Sequence, residues 1–419
     1  MKKTITWLTV LLMSTQTVCC QNDNTDNTQM LKEKQAALQA KLKATYPFLK
    51  LSLDSIAGSE IVAPFFEKMY CLAQNNVGII NIVHFGDSHI QADMMTEKTR
   101  ILLQESFGNA GRGLIFPHRI ARSNEPNNIR SSASGEWQQV SIIGKNRESE
   151  PGLATRSIFT ADSSASFDIQ IKDGELFYPF KKLTVFSPKA ENYFDFSINN
   201  NLGEEFLSAQ STDNVFTFSV LSNSFSLKIT PTAATQKEFR LNGIVLQNDA
   251  KSGILYHSMG ANGAHFTEYN RSPEFFTQLP CLQPDLIIIS LGTNEGAARD
   301  ITKQEVYENA RQMIENIRAT NPETPILLTT PVHNYYQKKY LNQRMKLVHE
   351  ALLEVANDTK TAIIDLYAVG GGYGSCQLWK AEGLLRPDGV HFSAEGYRLQ
   401  GDLIFNAIIN SYLKYVANH

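Results

Sequence analysis

The chain has 419 residues, 42% hydrophobic and 19% charged, which fits a folded globular protein of one large or two ordinary domains and excludes a disordered one. Its 39 Lys and Arg against 42 Asp and Glu leave a net charge of −3, with no strongly basic run, so a nucleic-acid partner is not expected.

In chain order, residues 1–20 come first: "MKK" is a cationic start, "WLTVLLM" is apolar and "STQTVCC" is small and polar. This reads as a secretory signal peptide, too short to span a bilayer. Cleavage after Cys20 would leave Val18 and Cys20 at the two small-residue positions. The alternative makes Cys19 or Cys20 the lipid-bearing N-terminal cysteine of a lipoprotein. Either route crosses the inner membrane, to the periplasm or the outer membrane, and no later segment reads as a transmembrane span. Cys71, Cys281 and Cys376 then remain, odd in number and far apart, so no disulfide framework is expected. Without Cys-x-x-Cys or His-Glu-x-x-His, a zinc site has no support, and no metal or organic cofactor is expected.

Residues 21–45 read as a polar tether, "QNDNTDNTQM", followed by a charged helix. Residues 46–119 carry a helix in "SEIVAPFFEKMYCLAQ", a strand in "VGIINIVHF", the loop Gly86-Asp87-Ser88-His89, and a helix in "ADMMTEKTRILLQESF" with Asp93 in its first turn. From 120 to 250 helix signals vanish and Ser, Asn, Phe and Thr dominate. Short alternating runs such as "SASFDIQIK", "KKLTVFS", "NVFTFSVL" and "FRLNGIVL", separated by turns, predict an all-β sandwich or jelly roll. Residues 251–419 return to alternation: strands in "GILYHSMG", "PDLIIISLG", "TPILLTTPV" and "TAIIDL", helices in "KQEVYENARQMIENIRATN" and "SAEGYRLQGDLIFNAIINSYLKYV". The predicted fold class is α/β with a mainly parallel sheet, interrupted by an inserted β-domain.

Four segments are expected to end strands of the α/β part with polar groups: Ser88, Gly263 in "SMGANGAHF", Asn294 in "LGTNEG", and Asp388 with His391 in "RPDGVHF". Catalytic groups of open α/β sheets gather beyond the carboxyl ends of strands. A serine hydroxyl is a weak nucleophile until an imidazole takes its proton, and a carboxylate fixes the imidazole tautomer. Asp388 and His391 share one short loop, so a small turn can join them. The Ser88 N–H, the Gly263 N–H and the Asn294 amide are candidate oxyanion donors.

These blocks, Gly-Asp-Ser, a Gly block, Gly-x-Asn and Asp-x-x-His in that order, resemble the SGNH/GDSL hydrolases over residues 77–115 and 252–410. The resemblance implies a flavodoxin-like three-layer domain, with Ser88 as nucleophile, Gly263 and Asn294 as oxyanion donors, and Asp388 and His391 completing the triad. Gly260 is the competitor for the Gly263 role. The start "GDSHIQAD", the β-rich insertion and "GANGA" are similar to bacterial peptidoglycan O-acetylesterases, whose inserted module is similar to carbohydrate-binding modules.

Other residues have plainer readings. Asp87 is a structural hydrogen-bond partner, His89 a loop-stabilising group and Glu295 a turn-shaping residue. His84, His257 and His333 read as packed or rim histidines. "GNAGRG", Gly108 to Gly113, follows a helix, so it reads as a bend and not as a phosphate cradle. "GGGYG", residues 370–374, reads as chain beside the Asp388–His391 loop, a candidate substrate lip. The expected function is a secreted serine esterase that removes O-acetyl groups from a polysaccharide, with the β-domain as a further carbohydrate contact. The alternatives are an acetyltransferase with the same triad, a lipase or thioesterase, and a glycan-binding protein with a vestigial triad.

Overall fold

The structure is a computed structural model and describes residues 25–144, 147 and 149–418; the signal-peptide, Cys19 and Cys20 expectations lie outside these residues. Six strands form the central sheet: β1 (Ile56–Ala57), β2 (Gly78–Gly86), β3 (Ser252–Gly260), β4 (Leu286–Ser290), β5 (Ile326–Thr329) and β6 (Ala362–Ile364). Their order across the sheet is β1–β6–β5–β4–β2–β3. All neighbours run parallel except β1, which lies antiparallel on β6 at one edge. The near-continuous apolar runs of β2, β3 and β4 reflect burial on both faces, as parallel strands covered by helices require.

Six longer helices cover the sheet: α1 (Thr25–Thr45), α2 (Ala63–Asn75), α3 (Met94–Phe107), α4 (Lys303–Thr320), α5 (Arg344–Asp358) and α6 (Ala394–Ala417). Along β2, Ile80 and Ile82 join one hydrophobic cluster with residues of α1, α2, α3 and α6. Val83 and Phe85, on the opposite face, join a second cluster with α4 and α5. Helix α6 is buried nearly all round, which explains its apolar composition beyond a single stripe. Helix α4 opens on a capping box in which Thr302 and Glu305 satisfy each other's backbone N–H groups. Helix α1 begins at Thr25, inside the stretch read as a tether, and its Leu31 and Leu42 are buried in the first cluster.

Between β2 and β3 the chain also builds antiparallel sheets. One has five strands, with Phe196–Asn199, Ser224–Ile229, Ser166–Ile171 and Ile129–Ser134 among them; another has four, including Phe180–Phe186 and Gly243–Gln247. The edge strand of the latter is Gly113–Ile115, which pairs with Gly243–Gln247. A third sheet of three strands contains Arg156–Thr160. The phenylalanines predicted to alternate do so: Phe167, Phe216, Phe218 and Phe225 point inward. Their hydrophobic cluster is continuous with the one under β2 and β4. Among the described residues no helix is long and apolar enough to cross a membrane.

Candidate active site

Strand register builds the site. Gly86 pairs with Gly260 on one side and with Ser290 on the other, so β2, β3 and β4 stop at the same level and release three loops side by side. Asp87 caps the short helix Ser88–Gln91, its Oδ1 accepting the His89 N–H at 2.9 Å. Ser88 thereby sits at the first position of a helical turn, partly open to solvent.

The Asp388–His391 loop arrives differently from the expectation. It does not end a strand of the sheet but connects the short helix Cys376–Ala381 to α6. Pro387 and the Asp-Gly pair stop any extended run, and the loop folds back on itself instead: Arg386 N–H donates to His391 O at 2.8 Å, and Leu385 bridges Phe392. Asp388 Oδ1 accepts the N–H groups of Val390 and His391, each at 2.9 Å. Its Oδ2 lies 3.0 Å from His391 Nδ1, and His391 Nε2 lies 3.0 Å from Ser88 Oγ. With Nδ1–H donating to the carboxylate, Nε2 carries the free lone pair and faces the hydroxyl. Burial pushes the Asp388 carboxyl up, but the two backbone N–H groups and the imidazole outweigh it and hold it below the ordinary carboxylate range. The Asp388 and His391 side chains are 39% and 37% exposed, so water reaches the pair directly.

Gly260 and Gly263 separate clearly. A Cβ on Gly260 would come within 2.5 Å of Asp87 O and Gln91 N, so that glycine lets β3 approach the Ser88 turn. Gly263 has φ +81°, is exposed, and borders open space. The N–H groups of Ser88 and Gly263 have no acceptor among the described residues. Asn294 stands in the short helix after β4; its Nδ2 donates to Ala264 O at 2.8 Å and lies 3.4 Å from Asp87 Oδ2. Burial raises the Asp87 carboxyl to about 7. Glu295 does more than shape its turn: it is buried, and its Oε1 accepts the Phe266 N–H at 2.8 Å, tying the Asn294 loop to the Gly263 loop.

His84, His89, His257 and His333 are buried. His89 bonds to Tyr397 OH at 3.1 Å and lies 5.4 Å, ring to ring, from His391; burial above all lowers it to about 3 and keeps it neutral. His84 bridges Tyr256 OH and Ser290 Oγ, each at 2.7 Å, and burial lowers it to about 3. His257 lies 3.4 Å from Asn81, and His333 meets Cys376 Sγ at 3.2 Å. Asp93 departs from its expected role. It sits at φ +61° without capping its helix, and its carboxylate is buried in ion pairs with Arg100 (2.8 Å) and Arg112.

Gln91 and Arg156 were not singled out by the sequence. Gln91 Oε1 accepts the Asn262 N–H at 2.8 Å, next to Gly263, and its Nε2 donates to Ser123 Oγ. The buried Arg156, from the antiparallel region, donates to Gly260 O at 3.3 Å and to Gln91 Oε1 at 3.4 Å. Gln91 stands three residues after Ser88 on one helical turn, a weak signal; Arg156 has none, because its partners come only with the tertiary fold.

The model of the GDSL-like Lipase/Acylhydrolase family matches residues 241–399. A solved structure titled "Peptidoglycan O-acetylesterase in action, 5 min" superposes with a TM-score of 0.70 at 22% identity, covering 83% of this chain and 96% of that one. A lipase/acylhydrolase from Enterococcus faecalis aligns with a TM-score of 0.31 at 25% identity, over 38% of this chain and 77% of that one. A carbohydrate esterase family 3 structure from Talaromyces cellulolyticus gives 0.30 at 17% identity, over 38% and 72%. A search of curated protein sequences returns no match. The chain thus has the SGNH hydrolase fold, with a mixed sheet and additional antiparallel sheets, and resembles peptidoglycan O-acetylesterases.

Proposed function

We propose that this chain, with its SGNH/GDSL-type fold, is a serine esterase that removes O-acetyl groups from a polysaccharide. The observation that carries the reading is the unbroken relay from Ser88 Oγ through His391 to Asp388, with both links at 3.0 Å. Ser88 Oγ attacks the acetyl carbonyl carbon while His391 Nε2 takes the hydroxyl proton. The oxyanion is received by the N–H groups of Ser88 and Gly263, with the Asn294 amide as a third donor when its longer contact to Asp87 Oδ2, 3.4 Å, gives way. Collapse breaks the bond to the sugar oxygen, which leaves with the proton from Nε2. Water then attacks the acetyl-enzyme, its proton passing to His391, and acetate departs as Ser88 recovers its own. Asp388, held ionised, stabilises the imidazolium in both halves.

Two features support hydrolysis over acetyl transfer, lipid turnover or mere glycan binding. The relay opens to water at Asp388 and His391. The fold is shared, over most of both chains, with a structure titled as a peptidoglycan O-acetylesterase, which makes an acetylated envelope glycan the leading substrate. The N-terminal signal-like segment supports export to that compartment. We read the antiparallel sheets as an insertion into the hydrolase domain near residues 120–250, and its contact with carbohydrate as part of the same proposal. Release of nitrophenol from its acetate ester should fall by on the order of 10⁴- to 10⁶-fold in Ser88→Ala. Unchanged turnover in the purified, folded variant would refute the triad.

A further inference from the structure

A cleft of about 1190 Å³ opens along the first turns of α5. Its walls are the hairpin Tyr335–Tyr336 with Tyr340–Leu341, the first turns of α5, and the chain around Tyr367–Gly374. Four tyrosines line it: Tyr336, Tyr340, Tyr367 and Tyr373. Tyr340 and Tyr373 are 56% and 50% exposed, with Lys339 Nζ 5.4 Å over the Tyr340 ring.

The rest of the cleft is held in place. The Arg344 guanidinium lies 4.4 Å over the Tyr336 ring, and Tyr373 meets His333 edge to face at 5.0 Å. The His349 ring stacks on Tyr367 at 4.4 Å and 21°. His349 Nε2 is bonded to both Asp365 oxygens, at 3.0 and 2.9 Å. Asp365 is itself anchored by the Thr330 hydroxyl and the Ala368 N–H. That arrangement fixes the imidazole tautomer and leaves Nδ1 as an acceptor with no partner among the described residues. Ring faces alternating with oriented polar groups suit a ligand that is apolar on its faces and hydroxylated around its rim, which is the surface of a pyranose.

The cleft is also joined to the triad. Tyr335 N–H donates to Gly389 O at 2.8 Å, and a Cβ on Gly389 would lie 2.9 Å from Tyr335 Cβ. One hairpin therefore clamps the Asp388–Gly389 turn and walls the cleft. We propose that this tyrosine-lined cleft binds the polysaccharide strand that flanks the acetylated sugar, and so selects polymeric over small esters. The inference rests on the esterase reading for its link to turnover, but the binding it predicts does not require catalysis.

The experiment compares full-length Tyr340→Ala, Tyr373→Ala and the double variant with the wild type. The substrates are O-acetylated peptidoglycan, O-acetylated xylan and nitrophenyl acetate. The ratio of polymer to nitrophenyl acetate kcat/KM should fall about tenfold per ring for at least one polymer, chiefly through KM. In parallel, Ser88→Ala protein should co-sediment with that insoluble polymer, and adding both tyrosine substitutions should release it. Equal ratios in all variants, or no retention of Ser88→Ala by either polymer, would overturn the cleft while leaving the triad standing. Tyrosine-dependent retention by a wild type inert toward every ester would support the cleft and sink the esterase instead.

Discussion

At the carboxyl edge of the central sheet three strands stop level with one another, and the loops they release keep donors that the protein does not use. The Ser88 and Gly263 N–H groups have no acceptor among the described residues, and the His391–Asp388 pair stands open to water. Two carboxylates of the antiparallel sheets are treated in the opposite way. Asp168 accepts from Ser132 and Ser226, and Asp195 from Thr232, Gln236 and Ser208, so these carboxylates are satisfied by their own neighbours. The difference teaches where to look for chemistry: not at polar residues as such, but where the fold orients them and leaves a partner to come from outside. The two regions still share one hydrophobic cluster, and Arg156 carries the antiparallel region's influence to the Gly260–Gly263 loop.

Three substitutions sharpen that contrast. The largest effect belongs to Asp388→Asn. The new amide keeps the shape of the turn but can donate toward His391 Nδ1, favouring the wrong tautomer, and kcat on nitrophenyl acetate should drop about 10⁴-fold with the circular dichroism spectrum unchanged. A drop below tenfold would mean the carboxylate is only a turn residue.

Gln91→Ala should come next. It strips the acceptor from the Asn262 N–H and loosens the contact to Arg156, so the Gly260–Gly263 loop, proposed above to supply an oxyanion donor, loses its support. A displacement of about 1 Å at such a loop can cost about 10²-fold, and kcat should fall by roughly ten- to a hundredfold with KM little changed. A loss confined to KM would contradict a positioning role.

The smallest effect is Asp195→Asn in the antiparallel region. Burial pushes this carboxyl up, but bonds from Thr232, Gln236 and Ser208 outweigh it and hold it below its ordinary value. The folded state therefore holds the proton less tightly than the unfolded chain. Its contribution is present above the unfolded value, about 4, and is lost as pH falls through the folded one. The unfolding free energy of Asp195→Asn from urea titration should be lower than that of the wild type at pH 7, by less than about 1 kcal/mol because solvent screens the site. The gap should close on acidification, and esterase activity should not change. A catalytic defect in this variant would break the contrast between the regions.

Much of the sheet was legible in the sequence because its strands are long apolar runs and its helices α4 and α6 repeat at helical spacing. The order of their blocks leads to the expectation that Ser88, Asp388 and His391 meet, and the structure brings the three side chains within hydrogen-bond distance. Helix α5 is not among the elements the sequence predicts, although Met345, Val348, Leu352 and Val355 carry the right period. The strand Ile129–Ser134 hid behind its serines, which face outward at one end. The hairpin at Tyr335–Leu341 has only two residues per strand, too few for any period to show. Asp93 and Arg156 were illegible for a different reason. A charge becomes acceptable inside a protein only when distant partners surround it, and those partners are set by tertiary contacts rather than neighbours in sequence.

The most direct measurement is a rapid-quench reaction with nitrophenyl acetate followed by peptide mapping. A Ser88 nucleophile requires one acetyl group on the peptide that carries Ser88 during turnover, absent when Ser88 is alanine. Turnover with an acetyl on another residue, or with no acetyl-enzyme formed at any time, would contradict it.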